Sequence, residues 1–253
     1  MIPYHQWQAE RLAALTAPDG WLNLTDRVEF GPGRHTVGAA EDCELRLSCG
    51  PDRLGWLTSG GGPMFSFETA DGSLIPFTTD GQNPPRASVD PFLLEIHTVN
   101  SVTALRTRWT AGHRGKPFDG IRSYPFDPAW VITAQWENLA QPMPLQVDMV
   151  SGTTETVLQT HVARFHHDGH DVNLVPTHVK SGKPMFVIRD ATSGKETYGA
   201  SRFLIAEPNG DQIILDFNRA HTPPCGFTDF AICPLPPPQN RLPFAVRAGE
   251  LKP

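Results

Sequence analysis

Trp130–Glu137, WVITAQWE, decides the fold class. Trp130, Ile132, Ala134 and Trp136 fall on one side of an extended chain, and Val131, Thr133, Gln135 and Glu137 on the other. Met143, Leu145, Val147 and Met149 repeat the period of two against Gln146 and Asp148. Such alternation suits antiparallel strands with one wet face. Working outward, short apolar runs bounded by Gly, Pro, Asn and Asp fill most of the chain, from Trp21–Leu24 and Arg27–Phe30 to 197–206, 211–218 and 243–247. No stretch of 10–15 residues between them has helical periodicity, which argues against a parallel βαβ architecture. One short helix is predicted over 4–16, started by Pro3, stopped by Pro18 and Gly20, with Tyr4, Trp7, Leu12 and Leu15 on the face that covers a sheet edge or barrel end. The expected fold is all-β: two packed antiparallel β-units, an N-terminal β-sandwich and a C-terminal β-barrel or sandwich, with that short N-terminal helix. The polar stretch TTDGQNPPRASVD places the boundary near residue 85, giving units 1–85 and 86–253.

Composition narrows the function. The 253 residues carry 25 Pro and 22 Gly scattered between apolar runs, which marks turns rather than disorder. A formal charge of −6 argues against a nucleic-acid partner, which needs a basic surface. No apolar run reaches the roughly 20 residues that span a bilayer, and the N-terminus lacks a signal-peptide core. A cytoplasmic location is expected, with Cys43, Cys49, Cys225 and Cys233 as reduced thiols. No nucleotide loop, dinucleotide fingerprint, HExxH or catalytic-triad spacing is present, so no cofactor is predicted.

Gly33–Leu47, GRHTVGAAEDCELRL, resembles the opening of forkhead-associated phosphopeptide-binding domains. In that family a Ser and a His follow to hold the phosphothreonine loop. Here Ser48–Gly55 supplies no His, so the resemblance implies a sandwich shape and not phosphopeptide reading.

The richest segment is Leu215–Leu242, LDFNRAHTPPCGFTDFAICPLPPPQNRL. With Asp190–Leu204, DATSGKETYGASRFL, and Arg247–Glu250, RAGE, it closely resembles the C-terminal signature of the bacterial and archaeal domain of unknown function 1684 family. The resemblance is weak before residue 115. Ser201 stands where that family usually has Gly, His221–Thr222 where it has Tyr-Asn, and Leu251 where it has Lys. The family implies no activity, so function has to be read from the residues.

Asp216 and Asn218 are expected side by side at a strand end, with Arg219 and Arg202 as charge partners for Asp216. Tyr198 alternates with Ala200 and Arg202 along one strand face. Pro234–Pro238 should run as a stiff polyproline segment across a barrel mouth, delivering Asn240 and Arg241 to the same end. Two readings stay open: a carboxylate–arginine brace, or a polar pocket of Tyr198, Arg202, Asp216, Asn218, Arg219, Asn240 and Arg241 that binds a small carboxylate or phosphate metabolite. The alternatives in function are a hydrolase or isomerase with Asp216 as acid/base, and a structural or protein-interaction module. Cys225 and Cys233 have the wrong spacing for a zinc site; they are buried apolar thiols, an oxidisable pair, or a reactive thiol. His166, His167 and His170 surround an Asp168–Gly169 turn pair and read first as a hairpin tip, with metal binding as the weaker alternative.

Overall fold

Period-two runs become strands in the computed structural model, which describes residues 2–60, 64–81, 83–113 and 117–253. The chain divides into a unit of residues 10–117 and a unit made of the N-terminal nine residues with 118–253.

The first unit holds β1 (Leu24–Glu29), β2 (Gly33–Gly38), β3 (Leu45–Arg46), β4 (Gly55–Ser59), β5 (Phe65–Thr69), β6 (Leu74–Pro76), β7 (Arg86–Val89), β8 (Phe92–Val99) and β9 (Val102–Trp109). They form two sheets, β1-β9-β8-β7 and β3-β2-β4-β5-β6. All pairs are antiparallel except the short β2–β3 contact. Val37, Leu57 and Phe67 from one sheet meet Phe92, Leu94, Ile96 and Leu105 from the other in one buried cluster, so the unit is a β-sandwich. The boundary expected at residue 85 would cut this sandwich. The Pro-Pro stretch is a connection inside it, because β7 zips onto β8 and completes the sheet that begins with β1.

The second unit holds β10 (Val131–Asp148), β11 (Thr154–His167), β12 (His170–Leu174), β13 (His178–Lys180), β14 (Lys183–Ile188), β15 (Arg202–Ile205), β16 (Glu207–Asn209) and β17 (Gln212–Asp216). Their sheets are β12-β11-β10-β17-β16 and β13-β14-β15. Among the described residues neither sheet closes on itself, so the barrel alternative is set aside. Ala134, Ala163, Ile213 and Leu215 of the larger sheet bury against Phe186, Ile188 and Leu204 of the smaller one, with Trp130, Ile132 and Trp136 packed around them. The two expected strands at Trp130–Glu137 and Met143–Met149 are one long strand. The β10–β11 register shifts between Asn138 and Met143, and Pro142 and Pro144, which lack amide donors, flank that point. The shift changes the parity of the buried positions from Ala134 to Leu145 and Val147.

Helix α1 (Tyr4–Thr16) forms as predicted. Leu15 is fully buried, but Leu12 stays exposed, so the expected apolar face is incomplete. Tyr4 packs on Phe126, and Trp7 on His221, within the second unit. No helix among the described residues is long and apolar enough to cross a membrane.

Candidate functional site

The signature residues are held mainly by one another. Arg202 opens β15 and is 1% exposed. Its Nη2 donates to Asp190 Oδ2 at 2.8 Å and to the Val246 carbonyl at 3.0 Å, and its Nη1 donates to the Ala248 carbonyl. Asp190 Oδ1 in turn accepts from the Thr192 amide and hydroxyl and from the Val246 amide. Arg202 therefore braces the 190s turn to the chain end through Asp190 and not through Asp216. The strand expected over 197–206 starts only at Arg202, because Thr192 and Thr197 close a hydroxyl-bonded turn ahead of it. Tyr198 thus does not share a strand face with Arg202. Its hydroxyl donates to the Cys225 carbonyl at 3.0 Å, and burial, then the neighbouring Cys225, pushes the phenol up.

Asp216, Asn218 and Arg219 do meet. Strand β17 ends at Asp216, which caps a short 3-10 turn over Phe217–Arg219. Asp216 Oδ1 accepts from the Asn218 amide and Nδ2, and Oδ2 accepts from Arg219 Nε at 2.8 Å. Asn218 also reads both polar groups of the Asp127 backbone at 3.0 Å. With both oxygens committed to hydrogen bonds, Asp216 serves as a brace, which does not favour an acid/base role. Asn240 lies elsewhere: it is fully buried and bonds the Val175 amide, the Val175 carbonyl and the Val187 carbonyl. The Pro-rich run follows the end of β10, where the Leu235 amide donates to the Asp148 carbonyl at 2.6 Å. That path carries Asn240 between β12 and β14 and leaves Arg241 exposed. The segment 243–247, expected as a strand, is held by isolated contacts such as the Ala191 amide to the Phe244 carbonyl.

A cleft of about 610 Å³ opens beside this framework, lined by Ile2, Trp7, Lys180, Ser181, Lys183, Ile205, Glu207, Arg219 and His221. Of the predicted residues only Arg219 belongs to that lining. Lys180 and Lys183 face each other across the β13–β14 hairpin, whose turn residues Ser181 and Gly182 have φ of 50° and 74°. Both positive φ values match the tight turn that closes two-residue hairpins. Glu207 of β16 pairs with Lys183, and that hydrogen bond holds its carboxyl below the usual range. The Arg219 guanidinium lies over the Trp7 ring at 5.9 Å and donates to the Ile2 carbonyl at 2.5 Å. His221 Nδ1 is 3.1 Å from the Arg219 carbonyl, and its ring lies between Trp7 and Phe203. Lys180, Lys183 and Arg219, against the carboxylates of Glu207 and Asp216, leave an excess of positive charge, and with Trp7, Ile2 and Ile205 as apolar walls they suit an anion that carries an apolar group. The KSGK hairpin is the available sequence signal for the lysines. Nothing in the sequence brings Trp7 to it.

Of the three predicted histidines only His167 and His170 come together, as cross-strand partners on β11 and β12 that both lie against Phe244. Asp168 and Gly169 make the hairpin turn as expected, with φ of 49° and 75°. His166 pairs with Asp171 at 2.8 Å, whereas His167 points to the other face, against Trp130 and Phe244. Among the described residues no three His, Cys, Asp or Glu side chains are grouped to hold a metal ion.

The molecule defined by this geometry is an all-β protein whose C-terminal unit carries an internally braced turn network beside an open cationic cleft. The chain belongs to the family described as "Protein of unknown function (DUF1684)", whose model matches residues 116–251. The matched span coincides with the second unit and leaves the N-terminal sandwich outside it. Among solved structures the chain is similar to the solution NMR structure of an uncharacterized protein from gene locus rrnAC0354 of Haloarcula marismortui. The identity is 32%, over 53% of this chain and 77% of that chain, with a TM-score of 0.44. No curated protein matches the chain.

Proposed function

We propose that this is a cytoplasmic protein whose C-terminal unit binds a small organic anion, a carboxylate or phosphate bearing an acyl or aryl group, in the cleft between Trp7 and the Lys180–Lys183 hairpin. The observation that carries the reading is the lining itself. Lys180, Lys183 and Arg219 surround a hollow of about 610 Å³, within the range of small-molecule sites. The anionic head sits toward the lysines, and the apolar tail lies along Trp7 and Ile205. Arg219 is positioned by Asp216 and Trp7, so the cationic wall is set before a ligand arrives.

The test is a thermal-shift screen of the full chain against aliphatic and aryl carboxylates and phosphate monoesters. A ligand at roughly 100 times its dissociation constant adds about 2.7 kcal/mol to stability. Lys180 is exposed, so Lys180→Glu leaves the core packing in place and should weaken any hit about tenfold, with the loss shrinking in high salt and the melting temperature of the ligand-free variant checking the fold. No stabilisation by any compound, or a hit that Lys180→Glu leaves untouched, refutes the reading.

A further inference from the structure

The cleft makes no use of the two cysteines of the signature. Cys225 sits in a short 3-10 turn, Pro224–Gly226, and is half-buried; Cys233 is buried. No disulfide joins them. The Cys225 amide donates to Cys233 Sγ at 3.3 Å, which places that sulfur within about 5 Å of the Cys225 Cα, inside the reach of a disulfide. Both backbones are pinned in this arrangement. The Tyr198 hydroxyl holds the Cys225 carbonyl, and the Val150 amide donates to the Cys233 carbonyl at 2.9 Å.

We propose that Cys225 and Cys233 form a redox-active dithiol that exchanges with low-molecular-weight disulfides, Cys225 attacking and Cys233 resolving. Cys225 is the more accessible residue of the two and so the one that meets a small disulfide first, while Cys233 is buried beside it. The Cys233 hydrogen bond, opposed by burial, holds the Cys225 thiol below its ordinary value. A lowered thiol carries more of the attacking thiolate at a given pH. In the first step the Cys225 thiolate attacks one sulfur of RSSR. The S–S bond breaks, and RS⁻ leaves and takes a proton from water. Cys233 then gives its proton to solvent, and its sulfur attacks that of Cys225 and expels the second RS⁻, which also takes a proton from water. Two protein thiols are oxidised to one disulfide while RSSR is reduced to two RSH. The bridge closes a short loop, the case in which a disulfide adds least stability. That fits an exchangeable bond rather than a structural staple.

The experiment treats the folded full chain with oxidised glutathione, blocks remaining thiols with N-ethylmaleimide at intervals, and maps the peptides. The expected course is a glutathione adduct on Cys225, then a Cys225–Cys233 bridge that dithiothreitol reverses. Cys233→Ser should trap the adduct on Cys225, and Cys225→Ser should slow capture at Cys233 at least tenfold. A bridge that forms only after denaturation overturns the proposal, as does equal capture at Cys233 in Cys225→Ser. The time course on the unaltered chain decides the matter if either variant fails to fold.

Discussion

Arg202 separates a brace from a binding residue most sharply. Arg202→Ala removes a buried guanidinium that serves Asp190, Val246 and Ala248 at once. It leaves Asp190 as a buried carboxylate without its cation and strands two carbonyls. Breaking a buried pair by removing one partner costs about 3–5 kcal/mol, so we expect about 4 kcal/mol. The Phe203 amide, bonded to the His221 carbonyl at 2.8 Å, is a local reporter. If it exchanges through opening of this unit, its rate should rise roughly a thousandfold, since each 1.4 kcal/mol is a factor of about ten. Replacing both partners, Arg202→Met with Asp190→Leu, should recover only part of the loss. An aliphatic side chain in place of Asp190 cannot accept from Thr192 or Val246, which now share Asp190 Oδ1. A cost below about 1 kcal/mol for Arg202→Ala would refute the brace.

Three further outcomes are expected. Asn240→Ala should cost about 3 kcal/mol in urea unfolding of the second unit, and Asn240→Asp more, because an acceptor-only side chain would face the Val175 and Val187 carbonyls; an Asn240→Asp protein as stable as the parent would contradict this. Gly249→Ala should destabilise by about 1–3 kcal/mol, measured by thermal melting, since Gly249 has φ of 79° and a Cβ there would run into the Ala220 carbonyl oxygen. In the sandwich, burial and then the Arg106 charge lower the His97 pKa to about 4. A depressed histidine is neutral when folded and takes up a proton on unfolding, so its contribution is present above about pH 6.5 and is lost as pH falls toward about 4. His97→Gln should flatten the stability–pH curve of the sandwich across that window, and an unchanged slope would sink the assignment.

Alternation is enough to read β10, and the Pro and Gly stops bound α1, because both signals are local. The Asp216–Arg219 contact is legible for the same reason: three residues apart at a strand end, the fork has one short route to the carboxylate. Sequence reasoning gives Arg202 the wrong carboxylate because its partner depends on a turn. The Thr192–Thr197 hydroxyl contact delays the strand and brings Asp190 over β15, and no period-two count contains that. Asn240 is misplaced by the assumption that a stiff proline run must cross a barrel mouth. The run instead follows the strand end at Asp148, so its far end arrives between β12 and β14. The sandwich boundary fails through composition, since a polar Pro-Pro stretch reads alike as a linker between units or as a loop within one.

Arg219 belongs to both systems, and that decides how the cleft has to be tested. Its Nε is spent on Asp216, while its other end reaches Ile2 and lies on Trp7 at the wall of the hollow. Arg219→Ala would therefore unpair a buried carboxylate and loosen the N-terminal segment together with the cleft, so lost binding there could not be told from lost structure. Lys180 has the opposite character. It stands on an exposed hairpin whose shape is set by Ser181 and Gly182, and the braces around Asp190, Asp216 and Asn240 do not involve it. If Lys180→Glu abolishes anion binding while Phe203 amide exchange stays at the parent rate, recognition resides in the hairpin and the signature supplies the frame. If binding instead follows the Arg202 and Asn240 variants and ignores Lys180, the ligand sits within the braced network and the cleft is only a gap beside it.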